Sequence, residues 1–199
     1  AATGMDALSH AIEAYVANGA TPMTQALAYR AIGLIGEALP IAVGKGNDVQ
    51  AREAMALASY MAGIAFSNAG LGLCHAMAHQ IGAAYGIPHG VANAIILPSV
   101  MHYNQLVCKK AYQEIGLALC GRMMDAAEAV QSVQNLVVEL GLPSNLIVAG
   151  ARKEDFARFA EAALEDPCLN GNPRTASKAQ IVGVYLHAYQ RKSQGDAAA

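Results

Sequence analysis

GLCHAMAHQIGAAYGIPHG, residues 72–90, places three histidines in an almost wholly apolar run without a charged residue. His75 and His79 are four residues apart and share one face of a helix, with about 6 Å between their Cβ atoms. The GIP break at 86–88 lets the chain turn, so that His89 at the start of the next helix comes back toward them. A buried imidazole must be hydrogen-bonded, ligated or exposed in a cleft. The spacing leaves metal binding and ordinary core packing about equally favoured.

This stretch lies inside a longer segment without charge. Residues 54–108 contain no Asp, Glu, Lys or Arg, a gap of 55 residues in a chain whose charged fraction is 14%. The gap predicts that the helices of this segment lie at the centre of the fold. A membrane span is the competing explanation, but polar residues, glycines and prolines interrupt the run and leave no clean apolar stretch of about 20 residues. No membrane partner is therefore expected.

Length, charge and cysteine usage limit the class of protein. A chain of 199 residues forms one domain or two small ones and can bury about 70% of its unfolded surface. With 13 basic and 15 acidic residues and no basic stripe, no nucleic-acid partner is expected, and a small molecule is the expected partner. The four cysteines form no CxxC and indicate reduced core thiols of a cytoplasmic protein. They are Cys74, Cys108, Cys120 and Cys168.

Helix signals recur along nearly the whole chain. Thr3 and Thr21 are predicted N-caps, as is Asn47 or Asp48, and Pro40 is predicted to close the second helix. Helices are predicted at 4–17, 22–39, 48–66, 71–85, 88–103, 110–120, 124–140, 152–165 and 176–191. Alternation typical of strands is absent over any useful length. The fold class predicted is all-α, a multi-helix bundle.

A second cluster of polar residues lies near the start of the first predicted helix. Asp6 and His10 repeat the four-residue spacing and so place a carboxylate and an imidazole on a common helix face. Alone the pair is a weak signal, because an Asp in a first helical turn also interacts favourably with the helix dipole. The two clusters together supply one carboxylate and up to four imidazole nitrogens.

Several known chemistries are excluded by the residues present. HAMAH at 75–79 has Ala76 where HExxH metalloproteases carry their general base. No GxSxG sequence, phosphate-binding loop or dinucleotide fingerprint occurs, and no ExxH repeat for a di-iron bundle. Glu161, Glu165 and Asp166 lie on a predicted amphipathic helix and are interpreted as a solvated face rather than as a pair of glycosidase carboxylates.

Three stretches resemble signature sequences of the iron-containing (group III) alcohol dehydrogenases. They are GMDALSHAIEAYVA (4–17), AFSNAGLGLCHAMAHQIGAAYGIPHGVANAIILP (65–98) and CLNGNPR (168–174). The resemblance covers essentially the whole chain but only the C-terminal half of the family. It implies a single helical, dehydroquinate synthase-like domain over residues 1–199, with the N-terminal NAD(P)-binding α/β domain absent from this chain. The missing initiator Met agrees with this interpretation.

The resemblance also implies roles for individual residues. The metal ligands that it implies are Asp6, His10, His75 and His89. It implies Fe²⁺ as the metal, with Zn²⁺ also accepted, and His79 as the catalytic and cofactor-binding residue, a proton relay close to the nicotinamide. The resemblance thus pairs His75 with His89 across the turn, whereas helical spacing alone pairs His75 with His79. Ser99 stands where many members have His, outside the ligand set.

The function implied is hydride transfer between a short-chain alcohol, or its aldehyde, and NAD(P) in the longer enzyme, with this chain alone inactive. Two alternatives stay open. One is a zinc-dependent polyol dehydrogenase domain of the glycerol type. The other is a helical domain without metal that keeps the motif as packing or as an interaction surface. A homo-oligomer is also compatible with apolar cleft surface left bare when a partner domain is missing.

Overall fold

The regular secondary structure of the described chain consists of helices alone. The computed structural model describes residues 1–191, and no strand occurs in that range. Its helices are α1 (Ala2–Val16), α2 (Pro22–Gly44), α3 (Val49–Ala69), α4 (Leu73–Tyr85), α5 (His89–Cys120), α6 (Ala126–Glu139), α7 (Phe156–Leu164) and α8 (Lys178–Gln190), with 3₁₀ turns at Lys153–Asp155 and Pro167–Gly171. The all-α prediction is confirmed. Residues 192–199 of the predicted domain lie outside the described residues.

Helix starts follow capping chemistry at most of the predicted places. The Thr21 hydroxyl accepts a hydrogen bond from the Thr24 N–H at 3.2 Å, and Pro22 is the first helical residue of α2. Asp48, rather than Asn47, caps α3. The prediction for Thr3 is wrong, because α1 already begins at Ala2 and has no side-chain cap. A helix start without a cap leaves its orphan N–H groups to other partners or water.

The predicted end of the second helix at Pro40 is also wrong. α2 continues through Pro40 to Gly44, although an interior proline removes one backbone hydrogen bond. Ala42 and Val43 of this last turn line a cavity together with Met55 of α3. The helices predicted at 88–103 and 110–120 are two helical segments of α5 that meet at a kink, at Cys108 with φ −114° and ψ 19°, inside the predicted gap. Of the polar residues in the predicted gap, Asn104 is buried and forms two hydrogen bonds with the Asn172 side chain.

Helices α1, α4 and α5 form the interior on which the site depends. α1 packs against α2, α3 and α5, while α4 packs against α5 and α7. Their buried side chains join one hydrophobic core that includes Leu8, Ile12, Met77 and Ile95. α8 packs against α5 and α7 on the other side. The N-terminal end of α4 is hydrogen-bonded to Glu13 of α1, and the start of α5 lies against the first turns of α1 at Gly90.

The prediction that the whole uncharged segment is central is wrong for α3. Its buried face consists largely of alanines, while Leu57, Tyr60 and Ile64 are 52%, 68% and 36% exposed. An apolar sequence shows which residues favour burial but does not provide a neighbour to bury them. This face of α3 is consequently apolar and uncovered in the described chain.

One helix raises the question of a membrane. α2 is long and apolar enough, by length and composition, to cross a bilayer, and α3 with α4 would pass the same test only as a pair bent by 107°. α2 packs against α1, α3 and α5, and its side chains Ile32, Ile35 and Leu39 are buried in the core. This packing accounts for its apolar composition. The absence of a membrane partner stays a prediction.

The cysteines are free, but not all belong to the core. Cys74 and Cys108 are buried as predicted, Cys168 is partly buried and Cys120 is exposed. Cys120 is the last residue of α5 and precedes Gly121, which adopts the left-handed conformation at the helix end. The core prediction is therefore wrong for Cys120, because a C-terminal helix residue at a turn has no layer packed over it.

Candidate metal centre

Four of the sequence-predicted site residues converge where α1, α4 and α5 meet. Asp6 and His10 project from one face of α1, His75 lies in the first turns of α4, and His89 is the first residue of α5. Each offers one ligand atom, and the four atoms all lie within 4.8 Å of one another. Segments more than 60 residues apart in sequence thus supply one compact group of donors.

The start of α4 is held in place by side chains from distant segments. The Cys74 N–H donates to Glu13 Oε1 at 2.7 Å, and the Leu73 N–H donates to Asn172 Oδ1 at 3.1 Å. These acceptors satisfy N–H groups that have no partner inside the helix. Gly72 permits the approach, because a Cβ there would lie 2.9 Å from both acceptor atoms.

Glu13 also orients His75. The His75 side chain is 1% exposed, and its Nδ1–H donates to Glu13 Oε2 at 2.5 Å. This hydrogen bond places the proton on Nδ1 and leaves the Nε2 lone pair for a ligand, an arrangement common among histidines that bind metals. The sequence interpretation missed Glu13, although it lies three residues after His10 and seven after Asp6, on the same face of α1.

Asn93 shows which atoms of the cluster are acceptors. Its Nδ2 lies 2.8 Å from Asp6 Oδ1, 3.0 Å from His89 Nε2 and 3.3 Å from His75 Nε2. Its Oδ1 accepts from the Cys74 thiol at 3.4 Å, which turns the amide nitrogen toward the cluster. One NH₂ group has two hydrogens and cannot serve three acceptors fully. The excess of lone pairs at one point suits a cation.

His10 completes the group as a neutral imidazole. Its ring stacks on Phe66 at 4.4 Å and on His75 at 4.6 Å between centroids. Burial, followed by the neighbouring His75, lowers the pKa of His10 to about 4. Burial also lowers the pKa of His89, with the Asp6 carboxylate opposing that shift. Neutral imidazoles keep the lone pairs that a metal requires.

His79 lies beside the cluster but outside it. Its ring is nearly parallel to that of His89 at 5.4 Å, and its Nδ1 is 2.8 Å from Asp166 Oδ2. By comparison, the rings of His75 and His89 are 5.4 Å apart and those of His75 and His79 are 6.1 Å apart. The Nε2 atoms of His75 and His89 also converge on Asn93. The structure thus brings His75 together with His89, as the family resemblance implies.

The interpretation of Asp166 as part of a solvated helix face is wrong. α7 ends at Leu164, and the Asp166 carboxylate caps the following 3₁₀ turn by accepting the Cys168 N–H at 2.9 Å. Its side chain is 9% exposed. Although burial alone raises the pKa of Asp166, hydrogen bonds from His79 and Cys168 lower it overall. Glu161 and Glu165 are exposed as expected.

The donor set fits a divalent cation of intermediate hardness. One carboxylate and three imidazoles are an N/O set without thiolate, which suits Fe²⁺ and accepts Zn²⁺. The orienting carboxylate and the partly satisfied amide are the outer partners expected around such ligands. The fold and the site together define a class of protein: helical domains with a cluster of one carboxylate and several imidazoles that can hold a metal ion.

Comparison with known proteins gives the family. Residues 1–189 match the Fe-containing alcohol dehydrogenase family, C-terminal. The chain belongs to this family, as its signature stretches predicted. It is 56% identical over 188 residues to the probable alcohol dehydrogenase EutG of Salmonella typhimurium, covering 94% of this chain and 48% of that protein. It is 47% identical over 195 residues to lactaldehyde reductase of Escherichia coli, covering 95% and 50%.

The fold comparison agrees with the sequence comparison. A crystal structure of 1,3-propanediol oxidoreductase is similar with a TM-score of 0.92 and 43% identity, covering 95% of this chain and 51% of that chain. An alcohol dehydrogenase from Oenococcus oeni is similar with a TM-score of 0.92 and 38% identity, covering 94% and 51%. The chain spans about half the length of the curated relatives that it matches.

Proposed function

We propose that this chain is the metal-binding half of an NAD(P)-dependent alcohol dehydrogenase that interconverts a short-chain alcohol and its aldehyde or ketone. The observation that carries the proposal is the convergence of Asp6 Oδ1 with the Nε2 atoms of His75 and His89. Glu13 orients the His75 ring through a hydrogen bond to Nδ1. The family and the half-length match support a single helical domain in this chain, with NAD(P) bound by a part of the enzyme outside it.

The cation would be held by Asp6, His10, His75 and His89, with Fe²⁺ favoured by the family and Zn²⁺ also accepted. Bound there, a divalent cation supplies Lewis acidity, which lowers the pKa of an alcohol O–H and polarises a carbonyl in the reverse direction. Glu13 keeps the His75 Nε2 lone pair directed into the cluster. Phe66 covers the His10 ring and excludes water from that side. NAD(P) supplies the hydride acceptor.

His79 is assigned as the catalytic and nicotinamide-adjacent residue. Because Asp166 holds Nδ1, His79 Nε2 is left to take the proton that an alcohol loses on oxidation and to return it on reduction. The side chain is 42% exposed, so this nitrogen can exchange protons with solvent. The His79 ring stacks on the His89 ring, so His79 lies next to the four proposed ligands but is not one of them.

The partners proposed are a small alcohol or aldehyde and further copies of the enzyme. The uncovered apolar face of α3 supports self-association or docking of the missing half. A cytoplasmic location is proposed from the four free cysteines, since a reducing compartment keeps such thiols unpaired.

The direct test is an anaerobic calorimetric titration of the chain with Fe²⁺ and with Zn²⁺. A stoichiometry near one metal ion per chain is expected, lost in His89→Ala and kept in His102→Ala, an exposed histidine outside the cluster. Binding that survives His89→Ala, or no binding by the wild type, would count against the site. Steady NAD(P) reduction by this chain with an alcohol would contradict the assignment as an inactive half.

A further inference from the structure

A cavity further along α5 than the candidate metal centre has a distinct chemical character. It lies between α5 and α8 and has a volume of about 330 Å³, within the range of small-ligand pockets. Ser99 on its wall is ten residues after His89, or about 15 Å along the helix, so the cavity is separate from the candidate metal centre. Its lining includes His102, Tyr103, Arg174 and His187 and, in the described chain, no Asp or Glu.

A buried cation lies directly behind this wall. Arg191 is 8% exposed and donates to Ser99 Oγ at 3.0 Å and to the backbone oxygens of Ile95 and Ser144 at 2.9 and 2.6 Å. These acceptors are all neutral, and the Nε of Arg191 has no partner among the described residues. Burial lowers its pKa only to about 10, so the guanidinium stays charged. Buried charges are normally paired, and this one has no carboxylate partner within residues 1–191.

Ser99 transmits the polarity of Arg191 to the cavity. Because Ser99 Oγ accepts from Arg191, its own proton is available to His187 Nδ1, which lies 2.9 Å away. His187 then carries its proton on Nε2, as a donor for a ligand. The ring lies parallel to that of His102, with centroids 4.9 Å apart and an interplanar angle of 6°. Burial, and then His102 and Arg191, lower the pKa of His187, and no carboxylate opposes them.

Arg174 adds a second guanidinium at the same cavity. It lies 3.9 Å over the Tyr103 ring, and its NH1 donates to the Tyr103 backbone oxygen at 2.5 Å. In the described chain the other N–H groups of Arg174 have no hydrogen-bond partner. Stacking on the Tyr103 ring nevertheless fixes the plane of the guanidinium group. A fixed guanidinium fork matches the two oxygens of a carboxylate.

Gly183 gives a ligand access to the backbone of α8. It lies in the helix interior, where Gly is about 1 kcal/mol less favourable than Ala. A Cβ built on it meets no atom within 4 Å, so no packing contact within the described chain requires a glycine. The space in front of it belongs to the cavity, beside the buried side chain of Val184. Glycine at such a place allows close approach of another molecule.

We propose that this cavity binds a small organic monocarboxylate. The carboxylate lies between Arg174 and the stacked pair of His102 and His187, and the apolar part of the ligand packs on Tyr103 and Val184 in front of Gly183. Arg174 at the cavity and Arg191 behind its wall supply two positive charges with no carboxylate among the lining residues, and an anion neutralises them. The imidazole N–H groups of the histidine pair can donate hydrogen bonds to that anion. The apolar walls and the open glycine favour an organic acid over an inorganic ion.

The test uses benzoate as the probe and follows the ring resonances of His102 and His187 by NMR in the metal-free chain. Saturable shifts of both rings are expected, with the rings of the metal cluster unmoved. Arg174→Gln is expected to weaken benzoate binding about tenfold or more. Arg158→Gln is the matched control, because Arg158 also lies over an aromatic ring, that of Phe159 at 4.8 Å, but outside the cavity. It should leave the affinity within about twofold.

A second pair of variants changes the space without changing the charge. Gly183→Leu is expected to fill the cavity and abolish binding, whereas Gly183→Ala, which adds only one methyl group, is expected to weaken it less. Thermal unfolding checks that both variants fold. The proposal is overturned if benzamide, the uncharged analogue, binds as well as benzoate, or if Arg158→Gln weakens binding as much as Arg174→Gln. It is also overturned if inorganic phosphate binds more tightly than benzoate and Gly183→Leu does not affect it. Because no metal is added, the result does not depend on the proposed dehydrogenase function.

Discussion

Replacing Glu13 by Gln tests whether a buried carboxylate prepares His75 for metal binding. In the wild type both oxygens of Glu13 accept, one from His75 Nδ1–H at 2.5 Å and one from the Cys74 N–H at 2.7 Å. The amide of Gln has a single acceptor oxygen, so its NH₂ group must face one of these two donors. If His75 responds by moving its proton to Nε2, the lone pair directed into the cluster is lost.

The expected size of the effect follows from the exposure of the pair. Both side chains are nearly buried, with Glu13 5% and His75 1% exposed, so water cannot replace the lost acceptor. Removing a hydrogen-bond partner behind a metal-binding histidine weakens metal binding about 10- to 100-fold, which corresponds to about 1.4–2.7 kcal/mol. Losing a hydrogen bond to a charged group should lower the free energy of unfolding of the metal-free chain by about 1.5–3 kcal/mol.

Calorimetric titration with Zn²⁺ measures the first quantity, and urea unfolding of the metal-free chain measures the second. Glu114→Gln is the matched control, because Glu114 accepts from the Tyr15 hydroxyl at 2.5 Å but does not contact the cluster. It should change the Zn²⁺ affinity by no more than about twofold. Equal Zn²⁺ affinity for Glu13→Gln and the wild type would refute the reasoning that Glu13 selects the tautomer of His75.

Three further changes test other parts of the structure. Asp166→Asn should leave the Zn²⁺ affinity unchanged but reduce the fraction of His79 protonated on Nδ1, measured by ¹⁵N NMR; an unchanged tautomer would show that Asp166 does not orient this ring. Gly72→Ala should destabilise the chain by about 1–3 kcal/mol in urea unfolding, since its Cβ would lie 2.9 Å from Glu13 Oε1, and equal stability would contradict the need for glycine there. Hydrogen bonds from Ala51 N–H and Lys45 lower the pKa of Asp48, so its stabilising effect is present above the unfolded carboxyl pKa and is lost as the pH falls through the folded value. Urea midpoints of wild type and Asp48→Asn should therefore differ at pH 7 and converge at low pH, and a difference that persists in acid would refute this.

The outer face of α3 is apolar and uncovered in the described chain. Leu57, Tyr60 and Ile64 are exposed on this face. The alanines on the inner face of α3 pack against the core, and the larger apolar residues on its outer face are available to contact another surface. An exposed apolar face of this kind is expected where a domain packs against another domain or chain.

The local sequence determined most of the helices and part of the site. Capping by Thr21 and Asp48 and the four-residue spacing of Asp6 and His10 depend on neighbours within one turn, so they can be inferred without a fold. The signature around His75 also identified the family before any contact was known. Such signals report local hydrogen bonds and helix faces, which short segments of sequence contain.

The tertiary structure alone decided which charges meet the histidines of the uncharged segment. Glu13 reaches His75 across 62 residues, and Asp166 reaches His79 across 87. It likewise decided that α3 keeps an apolar face uncovered in the described chain. The physical reason is that the partner of a buried polar group is set by the packing of distant helices. A sequence pattern shows that an imidazole needs a partner, but only the fold brings a particular carboxylate within hydrogen-bond distance.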